Sequence, residues 1–328
     1  MAHSGYHVKI GAAAQIPIND STPILSFSPV ILQLPTSKRL FDLELRVTFP
    51  AKGDDALPIL LLSHGQGASN YLSSLEGYAP LAEFYAAHGF AVLQPTHLRS
   101  GFLGGGRPWP EGDEMWWKGG AEDMAHILDS LDTIESTVPG LKGRLDHTKV
   151  SIVGHSAGSL SVYGLLGFSN TDPRDGSVYY KPDSRVKAGV ILAGIGGSGE
   201  NMSESGRSMI PFYGAEFSKM STPALVVYGD DDASPHLSIR GADWHADPYH
   251  QSPGPKDLLT LSGAKHGLGG ISGWDAGETL DESPELLGIV QRMTWAYLRS
   301  QLFEGDTAWE DACEAFAEIG KGKVERKE

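Results

Sequence analysis

Residues 149–167 read KVSIVGHSAGSLSVYGLLG, and this stretch contains the strongest indication of the fold. KVSIV is a short, β-branched apolar run, which predicts a buried strand. SLSVYGLLG, after the pentapeptide GHSAG, has the apolar spacing of a covering helix. Gly154 and Gly158 lie two residues before and after Ser156, where the absence of a side chain permits a close approach of backbone segments. The stretch therefore predicts a strand, a sharp turn with Ser156 at its tip, and a helix.

Short apolar runs alternate with helix-like segments on both sides of this turn. The further predicted strands are 57–63, 90–94, 186–193, 224–228 and 258–261, and the further helices are 78–88, 121–136 and 284–302. This alternation predicts an α/β fold with a mostly parallel central sheet and helices on both faces. Residues 41–49 alternate apolar and polar side chains, so antiparallel strands are expected in the N-terminal part.

One domain is expected over residues 1–305, with two lid-like insertions at about 98–120 and 195–221. Both insertions follow predicted strands, so both should lie above the sheet edge where open α/β sheets bind ligands. Residues 306–328 are expected to form a helix, 308–319, and a frayed charged tail.

The composition excludes several classes of partner. The chain has 26 basic and 41 acidic residues, a net charge of −15, which disfavours nucleic acid. Nothing in the sequence approaches the roughly 18 apolar residues of a membrane span, so no stable membrane insertion is expected. The single cysteine, Cys313, cannot form an internal disulfide, and no export signal is recognised, which favours a cytoplasmic location.

The pattern Gly154-x-Ser156-x-Gly158 between a strand and a helix is typical of a nucleophile elbow. The alternative interpretation is a glycine-rich turn without chemistry. A serine nucleophile needs a base, and His266 is the best candidate because it follows the last predicted strand in a loop of small residues. His64 and His97 also follow strands but precede the serine, whereas the acid and the histidine come after the serine in this architecture.

The acid that orients the histidine is expected after strand 224–228, where the chain reads Gly229-Asp230-Asp231-Asp232. Asp residues are also common in turns, so the spacing alone leaves three candidates. Two N–H donors are needed for the oxyanion, and the candidates are Ala157, just after the serine, and Gln66, in the turn after strand 57–63. The alternative for Gln66 is a tight glycine turn without a catalytic role.

The segments LLLSHGQG, GHSAG, LVVYGDDD and GAKHG occur in this order, and residues 40–302 resemble serine esterases of the α/β-hydrolase fold. Within that fold the chain resembles the dienelactone hydrolase-like and chlorophyllase-like families, with cutinases and platelet-activating-factor acetylhydrolases as more distant likenesses. The resemblance implies a triad of Ser156, His266 and Asp232, the last because Gly-x-x-Asp followed by proline matches the family pattern. It also implies cleavage of a small-molecule carboxylic ester or lactone without a metal or cofactor. True dienelactone hydrolases carry a cysteine where Ser156 stands.

Aromatic residues in the first insertion are expected to line a bulky apolar substrate pocket, or else to anchor the insertion. They are Phe102, Trp109, Trp116 and Trp117. The histidines and aspartates of 236–250 match no metal-ligand spacing and predict a solvated loop.

Four other functions fit the same motifs. They are an acyltransferase, a carbon–carbon bond hydrolase, a cofactor-free haloperoxidase-like enzyme and an inactive ligand receptor.

Overall fold

The computed structural model describes residues 10–34, 39, 41–53, 55–104, 110, 113–273 and 276–328. Twelve strands lie within these residues: β1 (Ile24–Leu32), β2 (Leu43–Pro50), β3 (Leu57–Ser63), β4 (Ala91–Pro95), β5 (Leu145–His155), β6 (Ser169–Thr171), β7 (Val178–Tyr179), β8 (Val186–Leu192), β9 (Ala215–Glu216), β10 (Ala224–Gly229), β11 (Lys256–Leu261) and β12 (Gly322–Lys327).

The main sheet has nine strands among the described residues, in the order β1-β2-β4-β3-β5-β8-β10-β11-β12. The strands from β4 to β11 in this order are parallel to one another. β1 and β2 form an antiparallel edge on one side, and β12 is antiparallel to β11 on the other. The prediction of a mostly parallel sheet with antiparallel N-terminal strands is confirmed.

Helices cover both faces of this sheet. They are α1 (Ala79–Ala87), α2 (Gly101–Gly104), α3 (Trp117–Asp129), α4 (Leu131–Thr137), α5 (Ser159–Leu166), α6 (Glu204–Met209), α7 (Asp247–Gln251), α8 (Pro284–Leu302) and α9 (Ala308–Ile319). Ile59 and Leu61 of β3 pack in a core with Met124 of α3, whereas Leu60 and Leu62 pack on the opposite face with Met293 of α8. Because successive side chains of a strand point to opposite faces of the sheet, this one apolar run contributes to the hydrophobic cores on both faces.

The observed elements match the strongest sequence patterns. β3, α8 and α9 have the predicted bounds, β10 ends one residue later than predicted, and β5 begins four residues earlier and ends two residues later than predicted. The predicted helix 121–136 is instead two helices, α3 and α4, divided at Ser130 with φ −110° and ψ 10°. Periodicity misses such a break because the apolar spacing continues on the far side of it.

The segment after β8 contributes to a small second sheet. β9 pairs with β6, and β6 pairs with β7, in the order β7-β6-β9. The Asn170 side chain connects this sheet to the 195–221 insertion by donating to the Phe212 carbonyl at 2.9 Å and accepting from the Gly214 N–H at 2.9 Å. The insertion is thus fixed by backbone and side-chain hydrogen bonds.

The charged C-terminal segment is a strand of the main sheet. Its six residues, Gly322–Lys327, pair with Leu261–Lys256 of β11, and the Lys327 Nζ donates to the Tyr249 and Ser252 carbonyls. The expectation of a frayed tail is wrong. Charged side chains are common on edge strands because they discourage pairing with another molecule, so a charged run is compatible with a strand at this position.

None of the helices in the described part of the chain combines the length and the apolar character needed to cross a membrane.

Deletion of residues 322–328 should lower the melting temperature by about 4 °C or more, since it leaves the β11 edge unpaired and removes cover from this end of the core. Lys323→Ala, which removes only an exposed side chain of the same strand, should change it by less than about 1 °C. Differential scanning calorimetry measures both. Equal melting temperatures for the deletion and the parent would mean that β12 contributes nothing to stability.

Candidate active site

Ser156 lies at the tip of a sharp turn between β5 and α5. It begins a single 3₁₀ turn, Ser156–Gly158, and has φ +53°, a left-handed conformation that side chains other than glycine seldom adopt. Residues 150–155 and 157–166 are buried, and Ser156 alone in this stretch is partly exposed. The strained backbone therefore turns one hydroxyl out of an otherwise buried segment.

The two glycines of the pentapeptide have a steric explanation. A Cβ on Gly158 would lie 2.4 Å from the Ser63 carbonyl oxygen, and a Cβ on Gly154 would lie 2.5 Å from the Gly158 carbonyl oxygen. Both distances are far below van der Waals contact, so only glycine permits this packing. The end of β3 is thereby pressed directly against the turn that carries Ser156.

The structure brings Ser156, His266 and Asp232 into one hydrogen-bonded row. His266 Nε2 lies 2.9 Å from Ser156 Oγ, and His266 Nδ1 lies 2.9 Å from Asp232 Oδ2. The three residues follow β5, β11 and β10, so their proximity results from the shared carboxyl edge of parallel strands. With Nδ1–H donating to the carboxylate, Nε2 is free to accept the serine proton.

Burial distinguishes Asp232 from the two aspartates before it. Asp230 and Asp231 are exposed, and Asp230 Oδ1 accepts the Gly263 N–H at 2.6 Å, which is a turn contact. The Asp232 side chain is only 3% exposed and is the one that meets His266. Spacing alone left three adjacent aspartates open, and the one that the turn directs inward is Asp232, the residue that the resemblance implied.

Asp232 is held in its charged form by its neighbours. Burial alone raises its pKa, but the hydrogen bond from His266 and the nearby imidazoles outweigh burial and bring the pKa below its ordinary value. The His266 side chain is 43% exposed, so the row runs from a buried acid to an accessible serine. This gradient leaves the reactive end open to a ligand.

The two candidate oxyanion donors lie in neighbouring turns, Gln66 after β3 and Ala157 after β5. Gln66 follows Gly65, whose missing Cβ would lie 3.4 Å from the His155 carbonyl oxygen. Among the described residues no acceptor is found for the Gln66 N–H. Ala157 is the second residue of the 3₁₀ turn, where N–H groups have no intrahelical acceptor. Both N–H groups thus belong to segments packed against the Ser156 turn.

A buried hydrogen-bond chain connects this turn to the His266 loop. The Gly65 N–H donates to the Tyr78 hydroxyl at 2.9 Å, the Tyr78 hydroxyl lies 2.8 Å from His155 Nδ1, and His155 Nε2 lies 2.8 Å from the His266 carbonyl oxygen. Burial, followed by the proximity of His266, lowers the pKa of His155 to about 3, so this ring is neutral. Its one proton must be on Nε2, facing the carbonyl, and Tyr78 therefore donates to Nδ1.

His64 and His97, which the sequence set aside as bases, belong to a separate buried network. His97 Nε2 lies 3.0 Å from Ser63 Oγ, and His97 Nδ1 lies 2.9 Å from Asp123 Oδ2. Both histidines are fully buried, and burial lowers their pKa values well below the ordinary range. Arg99 Nη2 donates to Ser63 Oγ at 2.7 Å. This network fixes the end of β3 beneath the turn that contains Gln66.

The aromatic residues of the first insertion have different environments. Trp117 is 2% exposed and stacks on Phe212 of the second insertion, with 5.0 Å between ring centroids and 2° between planes. Trp117 therefore joins the two insertions in the core, which corrects the expectation that it lines an open pocket. Trp116 is partly exposed with φ +51°. Trp109 and the side chain of Phe102 lie outside the described residues.

A histidine missed by the sequence analysis contacts Asp232. His245 is 1% exposed, in the 3₁₀ helix Ala242–Ala246, and its Nε2 lies 3.3 Å from Asp232 Oδ2. Burial lowers its pKa, with the Asp232 charge opposing. Asp247 is also buried and accepts the Gly197 N–H at 2.8 Å. The expectation of a solvated loop over 236–250 is wrong for 244–249, which are buried, although His236, Asp243 and His250 are exposed. The tryptophan at 244 was a signal in the sequence that could have indicated burial.

Comparison with models of known protein families gives no match, and comparison with curated proteins gives no significant relative. The function is therefore inferred from the geometry of the site.

Asp232→Asn should lower kcat by about 10⁴, because an amide donates to Nδ1 and leaves His266 in the wrong tautomer. Asp230→Asn, two residues earlier and exposed, should retain kcat within about threefold. Steady-state hydrolysis of a p-nitrophenyl ester measures both rates. If the Asp230 variant loses as much as the Asp232 variant, the acid has been assigned to the wrong residue.

Tyr78→Phe should lower kcat by about tenfold or more with little change in KM, since it disconnects the Gly65 turn from His155 and loosens both loops. Tyr85→Phe is the matched control, because the Tyr85 hydroxyl is equally buried and bonds Thr294 Oγ1 at 2.7 Å away from the triad residues. Tyr85→Phe removes one buried hydrogen bond and should cost about 1–2 kcal/mol of stability, whereas Tyr78→Phe removes the bonds to Gly65 and His155 and should cost more, so kcat is compared at a temperature where both variants are folded. If both variants lose kcat to the same extent, Tyr78 contributes only to packing and not to the position of the catalytic loops.

Proposed function

We propose that this chain is a serine-dependent carboxylic ester or lactone hydrolase of the α/β-hydrolase fold. The observation that carries the proposal is the row Ser156–His266–Asp232, with both hydrogen bonds at 2.9 Å and Ser156 on a left-handed turn. A nucleophile, a base and a group that orients the base are the minimal parts of acyl transfer through a covalent intermediate.

In the first half of the reaction, His266 Nε2 accepts the Ser156 proton while Oγ attacks the ester carbonyl carbon. The imidazolium that forms is stabilised by Asp232, which is already charged and lies against Nδ1. Because the carboxylate is fixed before the substrate arrives, little reorganisation is required as charge develops.

The oxyanion of the tetrahedral intermediate is bound by the N–H groups of Gln66 and Ala157. Support for this assignment comes from the packing of the Gly65 turn against the Ser156 turn and from the absence of an acceptor for the Gln66 N–H in the described part of the chain. A turn after the third strand is also where α/β-hydrolases place one of their two donors.

Collapse of the intermediate breaks the carbonyl carbon–alkoxy bond, and His266 gives its proton to the departing alcohol. Water then attacks the acyl group on Ser156 by the same route, with His266 again accepting a proton, and the acid is released. From a lactone, the alcohol and the acid remain in one ring-opened product.

A second hydrogen-bonded row of a serine, a histidine and an aspartate, Ser63–His97–Asp123, does not compete for this role. Ser63 and His97 are fully buried and Asp123 is 4% exposed, so no substrate reaches that serine. Arg39 also occupies Asp123 Oδ1 at 2.9 Å. Accessibility, as well as distance, therefore selects Ser156.

An active-site fluorophosphonate should label the wild-type chain at Ser156, and peptide mass spectrometry should find no label on Ser63. Ser156→Ala should abolish labelling and lower kcat for p-nitrophenyl esters by roughly 10³- to 10⁶-fold, since no neighbouring group replaces the nucleophile.

Running the assay with esters of increasing chain length, with lactones and with competing alcohols identifies the acyl group and the preferred acceptor. A labelled Ser63, or a Ser156→Ala variant that retains more than a tenth of the activity, would refute the proposal.

A further inference from the structure

Two imidazoles converge on one carboxylate oxygen beside the candidate nucleophile. Asp232 Oδ2 lies 2.9 Å from His266 Nδ1 and 3.3 Å from His245 Nε2. A triad needs one histidine on its acid, so the second one is not accounted for by the reaction described above. The three ligand-type atoms all lie within 4.8 Å of one another.

The tautomer of His245 is set from its other side. His245 Nδ1 lies 2.6 Å from the Gly194 carbonyl oxygen, which can only accept, so Nδ1 carries the proton. The Nε2 of the neutral ring then presents a lone pair toward Asp232. In the described part of the chain, the donor found for that lone pair is the Ser234 hydroxyl at 3.3 Å, a long and weak contact.

From this arrangement we infer that Asp232, His245 and His266 form an inhibitory binding site for a zinc-like divalent transition-metal ion. The binding depends only on these side chains, whereas the inhibition rests on the proposed hydrolase function.

Two of the three ligand-atom separations are close to those of a tetrahedral zinc site, and the third, between the two imidazoles, is at most 4.8 Å. Tetrahedral Zn²⁺ with bonds of about 2.0–2.1 Å places its ligand atoms about 3.3 Å apart. The Asp232–His245 separation is already 3.3 Å, and the Asp232–His266 pair, at 2.9 Å, has to open by only a few tenths of an ångström. The His245 Nδ1–H bond to a backbone carbonyl is also the outer contact that metal-binding histidines ordinarily make.

The ligand set favours transition metals over the hard cations. Two imidazoles and one carboxylate suit Zn²⁺, whereas Mg²⁺ prefers oxygen ligands in octahedral geometry. A metal ion would enter the site from the side of His266, whose side chain is 43% exposed, because Asp232 and His245 are buried.

Occupancy of this site would disable the base. Coordination through His266 Nδ1 requires the tautomer that has its proton on Nε2. That proton then points at Ser156 Oγ, 2.9 Å away, and Nε2 can no longer accept the serine proton. The ion also neutralises the Asp232 charge that stabilises the imidazolium.

Metal binding is measured first, in the Ser156→Ala protein, by competition with a chromophoric zinc chelator and by the visible absorption of bound Co²⁺. We expect one strong site per chain, weakened at least tenfold by a further His245→Asn or His266→Asn change. The half-exposed His266 provides the variant that folds even if the buried His245 does not tolerate replacement.

The matched control is His147→Asn. Asp132, Glu135 and His147 are the other group of potential ligands found among the described residues, and it lies near the surface. His147→Asn should leave the strong site unchanged. Loss of the strong site in this variant, or zinc affinity unaltered by both His245→Asn and His266→Asn, would overturn the proposal.

Inhibition is then tested in the wild-type chain with p-nitrophenyl acetate. Micromolar Zn²⁺ should inhibit, EDTA should restore the rate, and millimolar Mg²⁺ should have no effect. A chain that binds Zn²⁺ at this site but hydrolyses no ester contradicts the proposed function and leaves the binding site standing. A chain that hydrolyses esters and is indifferent to Zn²⁺ contradicts the metal site alone.

Discussion

The close contact between the Ser156 turn and the end of β3 is the constraint on which the site depends. Because Gly158 has no side chain, the 3₁₀ turn after β5 rests on the Ser63 and His64 carbonyl oxygens. That contact holds the turn that carries Ser156, in its left-handed conformation, beside the neighbouring turn that contains Gln66. A side chain at Gly158 would push the turn away from the end of β3, and one at Gly154 would push apart β5 and the turn that follows it.

Burial gives the histidines around this contact different properties. His64, His97, His155 and His245 are enclosed, and burial lowers the pKa of each, so they serve as neutral, directional hydrogen-bonding groups. His266 is half exposed and has Asp232 on one ring nitrogen and Ser156 on the other. In a low dielectric each buried nitrogen needs a partner of the correct type. The tautomers of His64, His155 and His245 therefore follow from the backbone carbonyls they face, and that of His97 follows from the Asp123 carboxylate.

The insertions and the chain ends complete the surroundings of the site by packing on one another. Trp117 stacks on Phe212, so the two insertions share one core contact instead of moving as separate loops. At the opposite edge, β12 covers β11, the strand that precedes His266. The two insertions and the C-terminal strand, whose sequences show little hydrophobic periodicity, are thereby connected to the loops that carry the candidate triad.

The sequence by itself determined the strand–turn–helix around Ser156, most strands of the parallel sheet, the bounds of α8 and α9, and His266 as the partner of the serine. These features depend on local patterns: apolar runs, glycine spacing and chain order. The family pattern also pointed to Asp232, but only the tertiary structure showed why Asp230 and Asp231 stay outside, that Trp117 is core, that the charged tail is a strand, and that His245 and Tyr78 join the site. Those outcomes depend on contacts between residues tens to hundreds of positions apart, and the burial of a side chain by a distant segment leaves little trace in its local sequence.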